Sequence, residues 1–297
     1  MIWLRILVFL SAWAAVIGAQ AQIAFRAATS AVAGNTITHI GASAIAATRD
    51  TCGDINPAIP AGTAGDLLVA LVSARAAGAT VQMANWNQAY ADTYPGQQFQ
   101  VFVFWRLATG GDPNTVTQSG TCDSIAAQVA RFRGADPAQP LETAPIPAAN
   151  VVRQSATNLD TGTQTTTFNG SMLLVAGFVA NNRTLTEGAG WSESFDSALG
   201  LNRDVGLSLH YQSQAAAGAA SVSNWDFSGN ATEPNYGIMF ALRPGPAQLS
   251  VNVPPGTVAN DTMVATISVR PCGSTSGAAC TLQVTAPGGW TLVRTVD

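Results

Sequence analysis

Gly65-Asp66-Leu67-Leu68-Val69-Ala70 and Gly170-Ser171-Met172-Leu173-Leu174-Val175-Ala176 open two runs of one design. Each begins with Gly and a polar residue, continues as an apolar stretch, and is followed by a Trp (Trp86, Trp191) 21 residues after the Gly. Each then carries an aromatic run, Val101 to Trp105 and Val205 to Tyr211, and closes on a run ending in Arg: Val129-Ala130-Arg131-Phe132-Arg133 and Ile238-Met239-Phe240-Ala241-Leu242-Arg243. Val205, Leu207, Leu209 and Tyr211 alternate with Gly206, Ser208, His210 and Gln212, the period-two pattern of a half-buried strand. Ile238, Phe240 and Leu242 alternate with Met239, Ala241 and Arg243 in the same way, while Phe99 to Leu107 is apolar on both faces and predicts a strand covered on both sides. Turn-forming clusters such as TGGDPN at 109–114 and RGADPAQP at 133–140 separate the runs, and no stretch reads as an amphipathic helix. The predicted fold is all-β: a jelly-roll-like β-sandwich (22–245) of two related half-repeats, about 23–140 and 141–245. Alone, each half would leave one sheet face bare; packed together they share a core.

A third copy of the pattern begins after Pro244-Gly245-Pro246. Asn260-Asp261-Thr262-Met263-Val264-Ala265 matches the first box, and Pro287-Gly288-Gly289-Trp290 supplies the Trp. Residues 246–297 therefore read as the start of a second, incomplete β-sandwich repeat. Its open strand edges predict either a longer multi-repeat protein or completion by a strand from another molecule.

Composition bounds the partners. Of 297 residues, 47% are hydrophobic, which excludes wholesale disorder, and only 10% are charged, against roughly 25% in ordinary soluble domains. All 13 basic residues are Arg, and with 17 acidic ones the net charge is −4. A Lys-free, weakly acidic chain without a basic run lacks the clustered positive charge that nucleic acids require. Residues 1–21 read as a secretory signal peptide: Arg5 in the n-region, Ile6 to Gly18 as the apolar core, and Ala19-Gln20-Ala21 as the cleavage site. The apolar run is short for a membrane span, so no membrane insertion is expected after cleavage. Cys52, Cys122, Cys272 and Cys280 form an even set, which in an exported chain predicts two disulfides. Cys272 and Cys280 bracket the short loop GSTSGAA, which leaves Cys52 with Cys122; three pairings remain open, and a metal site is the rival reading.

The opening IAFRAATSA, the box AGTAGDLLVALVSAR, the segment FRGADPAQP and the later VPPGTVANDTMVATISVRP and VTAPGGWTLVRTVD resemble a module of large secreted bacterial surface proteins. Those proteins string jelly-roll or concanavalin-like sandwiches together with immunoglobulin-like repeats and are described as adhesin-like. The resemblance covers residues 23–297. It implies a fold, an extracellular location at the bacterial cell surface and adhesion, and it carries over no catalytic residue.

Catalytic classes find little footing. There is no H-E-x-x-H string, and the two histidines are His39 and His210. The nearest approach to a nucleophile elbow, Gly273-Ser274-Thr275-Ser276-Gly277, has Thr at its centre. Glu193 and Asp196 are the one close carboxylate pair of interest to glycoside hydrolysis, but positions three apart on a strand point to opposite faces, which predicts solvated charges. His210 is expected to face outward as a surface histidine. Trp86, Trp191 and Trp290 hold equivalent repeat positions and predict packing, whereas Trp105 and Trp225, without a Trp equivalent, are the candidates for a sugar-stacking platform. No cofactor is expected: Asp50 and Asp54 flank Cys52, but no calcium-loop string accompanies them. Asn169, Asn182, Asn230 and Asn260 each begin an N-x-[ST] triplet, of little weight in a bacterial setting. The sequence thus predicts a non-enzymatic surface protein that binds a glycan or another cell-surface ligand. The alternative is a structural subunit of an extracellular filament, sheath or matrix, partnered by copies of itself through strand sharing.

Overall fold

Apolar runs with one polar lead residue make central strands, and both boxes do so here. The computed structural model describes residues 36–48, 53–76, 78–96, 98–120, 123–200, 203–229, 231–245 and 262–264. The first copy contributes β1 (Thr38–Ala42), β2 (Ala46–Thr48), β3 (Leu67–Ala74), β4 (Thr80–Met83), β5 (Asn87–Thr93), β6 (Gln100–Leu107), β7 (Val116–Ser119) and β8 (Ile125–Arg133). The second contributes β9 (Val151–Ala156), β10 (Asn158–Leu159), β11 (Gln164–Thr165), β12 (Ser171–Val179), β13 (Ser192–Leu199), β14 (Val205–Gln214), β15 (Ala219–Ala220), β16 (Trp225–Asp226) and β17 (Glu233–Leu242). Among the described residues the only helical turn is the 3-10 turn Ala148–Asn150, and no helix is long and apolar enough to cross a membrane. The four cysteines, residues 1–21 and the third copy's box and Trp lie outside the described residues, apart from the short stretch 262–264.

The two copies build the same sheet. Sheet one has the order β1-β8-β3-β6-β5, with β2 also on β8, and sheet two has the order β9-β17-β12-β14-β13. All pairs are antiparallel, and the register agrees: Leu67 faces Phe132 where Met172 faces Leu242. The turns agree as well. Gly65 and Gly170 sit at φ 86° and 79°, their N–H groups bonded to Ala108 O and Gln214 O at 2.8 and 3.0 Å. The residue before each repeat Trp, Asn85 or Gly190, has φ 64° or 89°, a conformation that Asn and Gly tolerate best. Even the edge strands share a bulge, between Gln88 and Tyr90 in β5 and between Glu193 and Phe195 in β13.

The inner faces of the two sheets pack on each other, and the shared core draws Leu67, Val69, Val103 and Phe132 from one copy and Leu174, Phe178, Leu209 and Phe240 from the other. This is a β-sandwich in which each copy supplies one sheet. At one edge His39 Nε2 of β1 lies 2.8 Å from Ser194 Oγ of β13, and at the other Arg153 of β9 pairs with Asp92 of β5 at 2.9 Å. Each sheet also carries a thin outer layer from its own copy. In the first, β4 pairs with β7 and Ile55 bridges Val116; in the second, β10 pairs with β16, β11 with β15, and Leu185 bridges Phe227. Those layers explain a departure from the alternation: Val205 to His210 are buried on both faces, not one. Trp86 packs into the first outer layer, its Nε1 donating to Pro113 O at 2.8 Å, and Trp191 packs against the second.

The polar lead residue of the first box explains the closing arginines. The Asp66 carboxylate, buried, holds Arg131 at 3.2 Å and Arg133 at 2.9 Å, and accepts the Thr63 N–H at 2.9 Å. Its counterpart Ser171 donates to Glu142 Oε1 at 2.9 Å, so the second copy closes the same corner with different chemistry.

Candidate functional site

Because the copies agree in register, a departure between them can be located residue by residue. On the outer face at the β5–β6 pair, Gln88 faces Phe104 and Ala91 faces Phe102. At the matching positions of β13 and β14, Glu193 faces His210 and Asp196 faces Ser208. A largely apolar patch in one copy is thus a cluster of titratable groups in the other.

The bulge makes that cluster. Phe195 faces Leu209 in the shared core, and Ser194 reaches His39 on the same inner side. With the extra residue absorbed between them, Glu193 and Asp196 emerge together on the outer face. This corrects the expectation from regular alternation that the two point to opposite faces. Asp196 is no solvated charge either: it is half-buried, and its Oδ2 accepts the Leu185 N–H at 2.7 Å. Burial, with Glu193 and Glu187 nearby, pushes its pKa up to about 7 despite that hydrogen bond.

His210 corrects a second expectation. It does point to the outer face, but that face is covered: the residue is fully buried and neither ring nitrogen has a hydrogen-bond partner. Burial pushes its pKa down to about 4, with Glu187 pulling the other way. The Trp225 ring meets it edge-on at 5.2 Å between centroids, and Trp191 meets Trp225 edge-on at 5.3 Å. The loop before Trp191 lies directly on this stack, since a Cβ at Gly188 would come within 2.8 Å of Trp225 Nε1.

The structure does not bring the two candidate platform residues together. Trp225 is 6% exposed and belongs to the outer layer of the second copy, so its ring faces are occupied by protein. Trp105 is half-buried in β6 and packs at the rim of the shared core; its counterpart in β14 is Tyr211, which stacks on His39 at 4.8 Å. Among the described residues, no group of three His, Cys, Asp or Glu side chains is placed to hold a metal ion.

At the matching rim of the first copy the surface is open. A cleft of about 310 Å³ is lined by Ala91, Asp92, Thr93, Gln100 and Phe102. Asp92 is fixed in it by Arg153 at 2.9 Å and by the Tyr90 hydroxyl at 3.3 Å; burial, then Asp92, push the Tyr90 pKa up to about 12, so that hydroxyl stays a donor. Thr93 Oγ1 lies 3.1 Å from the Gln100 amide. Nothing in the sequence marks these residues beyond their place on an edge strand and its neighbour. Comparison with protein-family models, with curated proteins and with solved structures finds no match.

Proposed function

We propose that this chain is an exported, non-enzymatic protein of a bacterial cell surface that binds a ligand, and that the ligand is a glycan. The leader at 1–21 and the resemblance to adhesin-like surface modules support export and display. The cleft at the β5 rim is the observation that carries the binding reading. It offers the Asp92 carboxylate and the Thr93 hydroxyl above the buried Gln100 amide and Phe102 ring in one shallow site, a mixture of polar groups and apolar surface that suits a sugar ring. Asp92 is already held by Arg153 and Tyr90, so little ordering remains to oppose binding.

A glycan array followed by titration calorimetry tests it. Ala91 is exposed, so Ala91→Arg fills the cleft with little cost to the fold. We expect at least a tenfold loss of affinity for the captured glycan, about 1.4 kcal/mol, with the melting temperature unchanged. Binding that survives Ala91→Arg, or an array without a hit, removes the reading.

A filament or sheath subunit assembling by strand sharing is the second reading, motivated by the NDTMVA box and Trp290 of the third copy. The bulges and polar residues of β5 and β13 weigh against strand addition at those two edges. Light scattering with negative-stain imaging separates the two, since regular assemblies favour the subunit.

A further inference from the structure

We propose that the outer layer over sheet two is an acid-triggered flap, in which protonation of His210 releases the Leu185–Trp191 segment and the Trp225 ring from the face of β14. The site lies in the other copy from the glycan cleft, and the inference does not rest on that reading.

Three observations carry it. First, His210 is fully buried with both ring nitrogens unpartnered, at a position that the first copy fills with Phe104. A phenyl ring there would be satisfied; an imidazole is not. Second, the neighbours sort by charge. Across β12 it faces Val175, and above it lies Trp225, neither of which offers an anion. Every titratable group that faces it is acidic: Glu193 directly across on β13, Asp196 two pairs further along on the same face, and Glu187 on the covering segment. Third, the cover has an identifiable anchor, the Leu185 N–H donated to Asp196 Oδ2 at 2.7 Å.

These make a two-state element. A neutral His210 packs against Trp225 and the layer is shut. An imidazolium has no acceptor in that position, and leaving a charge buried and unpaired is costly. Glu193, exposed, and Glu187, half-buried, stand at the rim, so the charged ring gains partners only by moving off Trp225, and the segment above must lift. Asp196 does not drive the release: its pKa is raised in the shut layer, so its protonation favours that state, and the opening rests on His210 alone. Protons alone supply the change, as in other histidine-based switches.

The test is an NMR pH titration of the full-length chain from pH 7.5 to about 4, following the Leu185 amide, the Trp225 indole N–H and the His210 imidazole together. The expected result is one midpoint shared by Trp225 and His210 between the ordinary histidine value of 6.5 and about 4, with a separate Leu185 step near 7 as Asp196 takes its proton, and with the Trp86 indole and the far-UV circular dichroism unmoved. His210→Phe, which installs the first copy's residue, leaves the Leu185 step near 7 and abolishes the Trp225 transition. Glu187→Gln lowers its midpoint, because a group that favours the imidazolium is gone. A Trp225 transition that persists in His210→Phe overturns the proposal, as does one that also moves Trp86, or none at all. Should His210→Phe fail to fold, the wild-type titration decides alone: Trp225 must follow the His210 midpoint, and any other Trp225 midpoint overturns the flap.

Discussion

His210 shows how one side chain sets a pH dependence. Its folded pKa, about 4, is below the ordinary 6.5, so the unfolded chain binds a proton that the folded one refuses. Its share of stability is therefore intact above pH 6.5 and is lost as pH falls to about 4, up to about 3 kcal/mol. Asp196 runs the other way. Its folded pKa is raised from 3.8 to about 7, so its contribution is intact below 3.8 and is lost as pH climbs to 7. Between about 4 and 6.5 the slopes oppose each other: the proton held by histidine in the unfolded chain is held by aspartic acid in the folded one. His210→Phe should thus raise the urea midpoint more at pH 5 than at pH 8, and its own stability should then decline from pH 4 towards 7. Equal gains at both pH values would show that His210 is not the group responsible. Alternation along β14 did reveal which face His210 points to. It could not reveal what covers that face, because the cover comes from Trp225 in a two-residue strand and from an irregular loop, neither of which leaves a periodic trace.

At the level of elements, the outer layer of the second copy docks into a hollow made by two glycines. Gly177 of β12 faces Gly237 of β17 across the middle of sheet two, where the first copy has Val72 facing Ala127. The fully buried Leu159 fills the space, and a Cβ at either glycine would come within 3.0 Å of its methyl groups. At Gly237 it would also run into the Asp160 carbonyl, a backbone group that cannot step aside. Gly237→Ala should therefore cost on the order of 3 kcal/mol by overpacking. Gly41→Ala, where nothing lies within 4 Å of the new atom, should stay within about 0.5 kcal/mol. Chemical denaturation of both variants checks this, and an indifferent Gly237→Ala would mean that the β10 layer is free to lift. The central strands were legible in sequence because burial on both faces demands long apolar runs. The bulge in β13 breaks the regular alternation, and a signal for it exists in the sequence: with Phe195 in the core, regular alternation would bury Glu193 there too, and one extra residue avoids that.

For the whole described sandwich, what joins the copies is the apolar interior and not the clips at its edges. The Arg153–Asp92 pair is 41% and 33% exposed, a setting in which ion pairs contribute between nothing and about 1 kcal/mol. Phe132 is fully buried in the shared core, with its ring 5.4 Å from His39 in its own copy and 6.3 Å, edge-on, from Tyr211 in the other. Phe132→Ala should cost about 3–5 kcal/mol, and Arg153→Ala less than about 1. The distribution of the loss is more informative than its size. Neither sheet has another apolar layer to cover its inner face, so a copy cannot keep its structure once its partner has melted, and the two must unfold in one transition. Calorimetry of Phe132→Ala should show a single peak at a lower temperature, and hydrogen exchange in β12 and β17 should accelerate as much as in β3 and β8, although the substitution lies in the first copy alone. Two peaks, or protection retained in β12 and β17, would mean that each copy holds its own core and that the doubled sequence records two domains, not one sandwich.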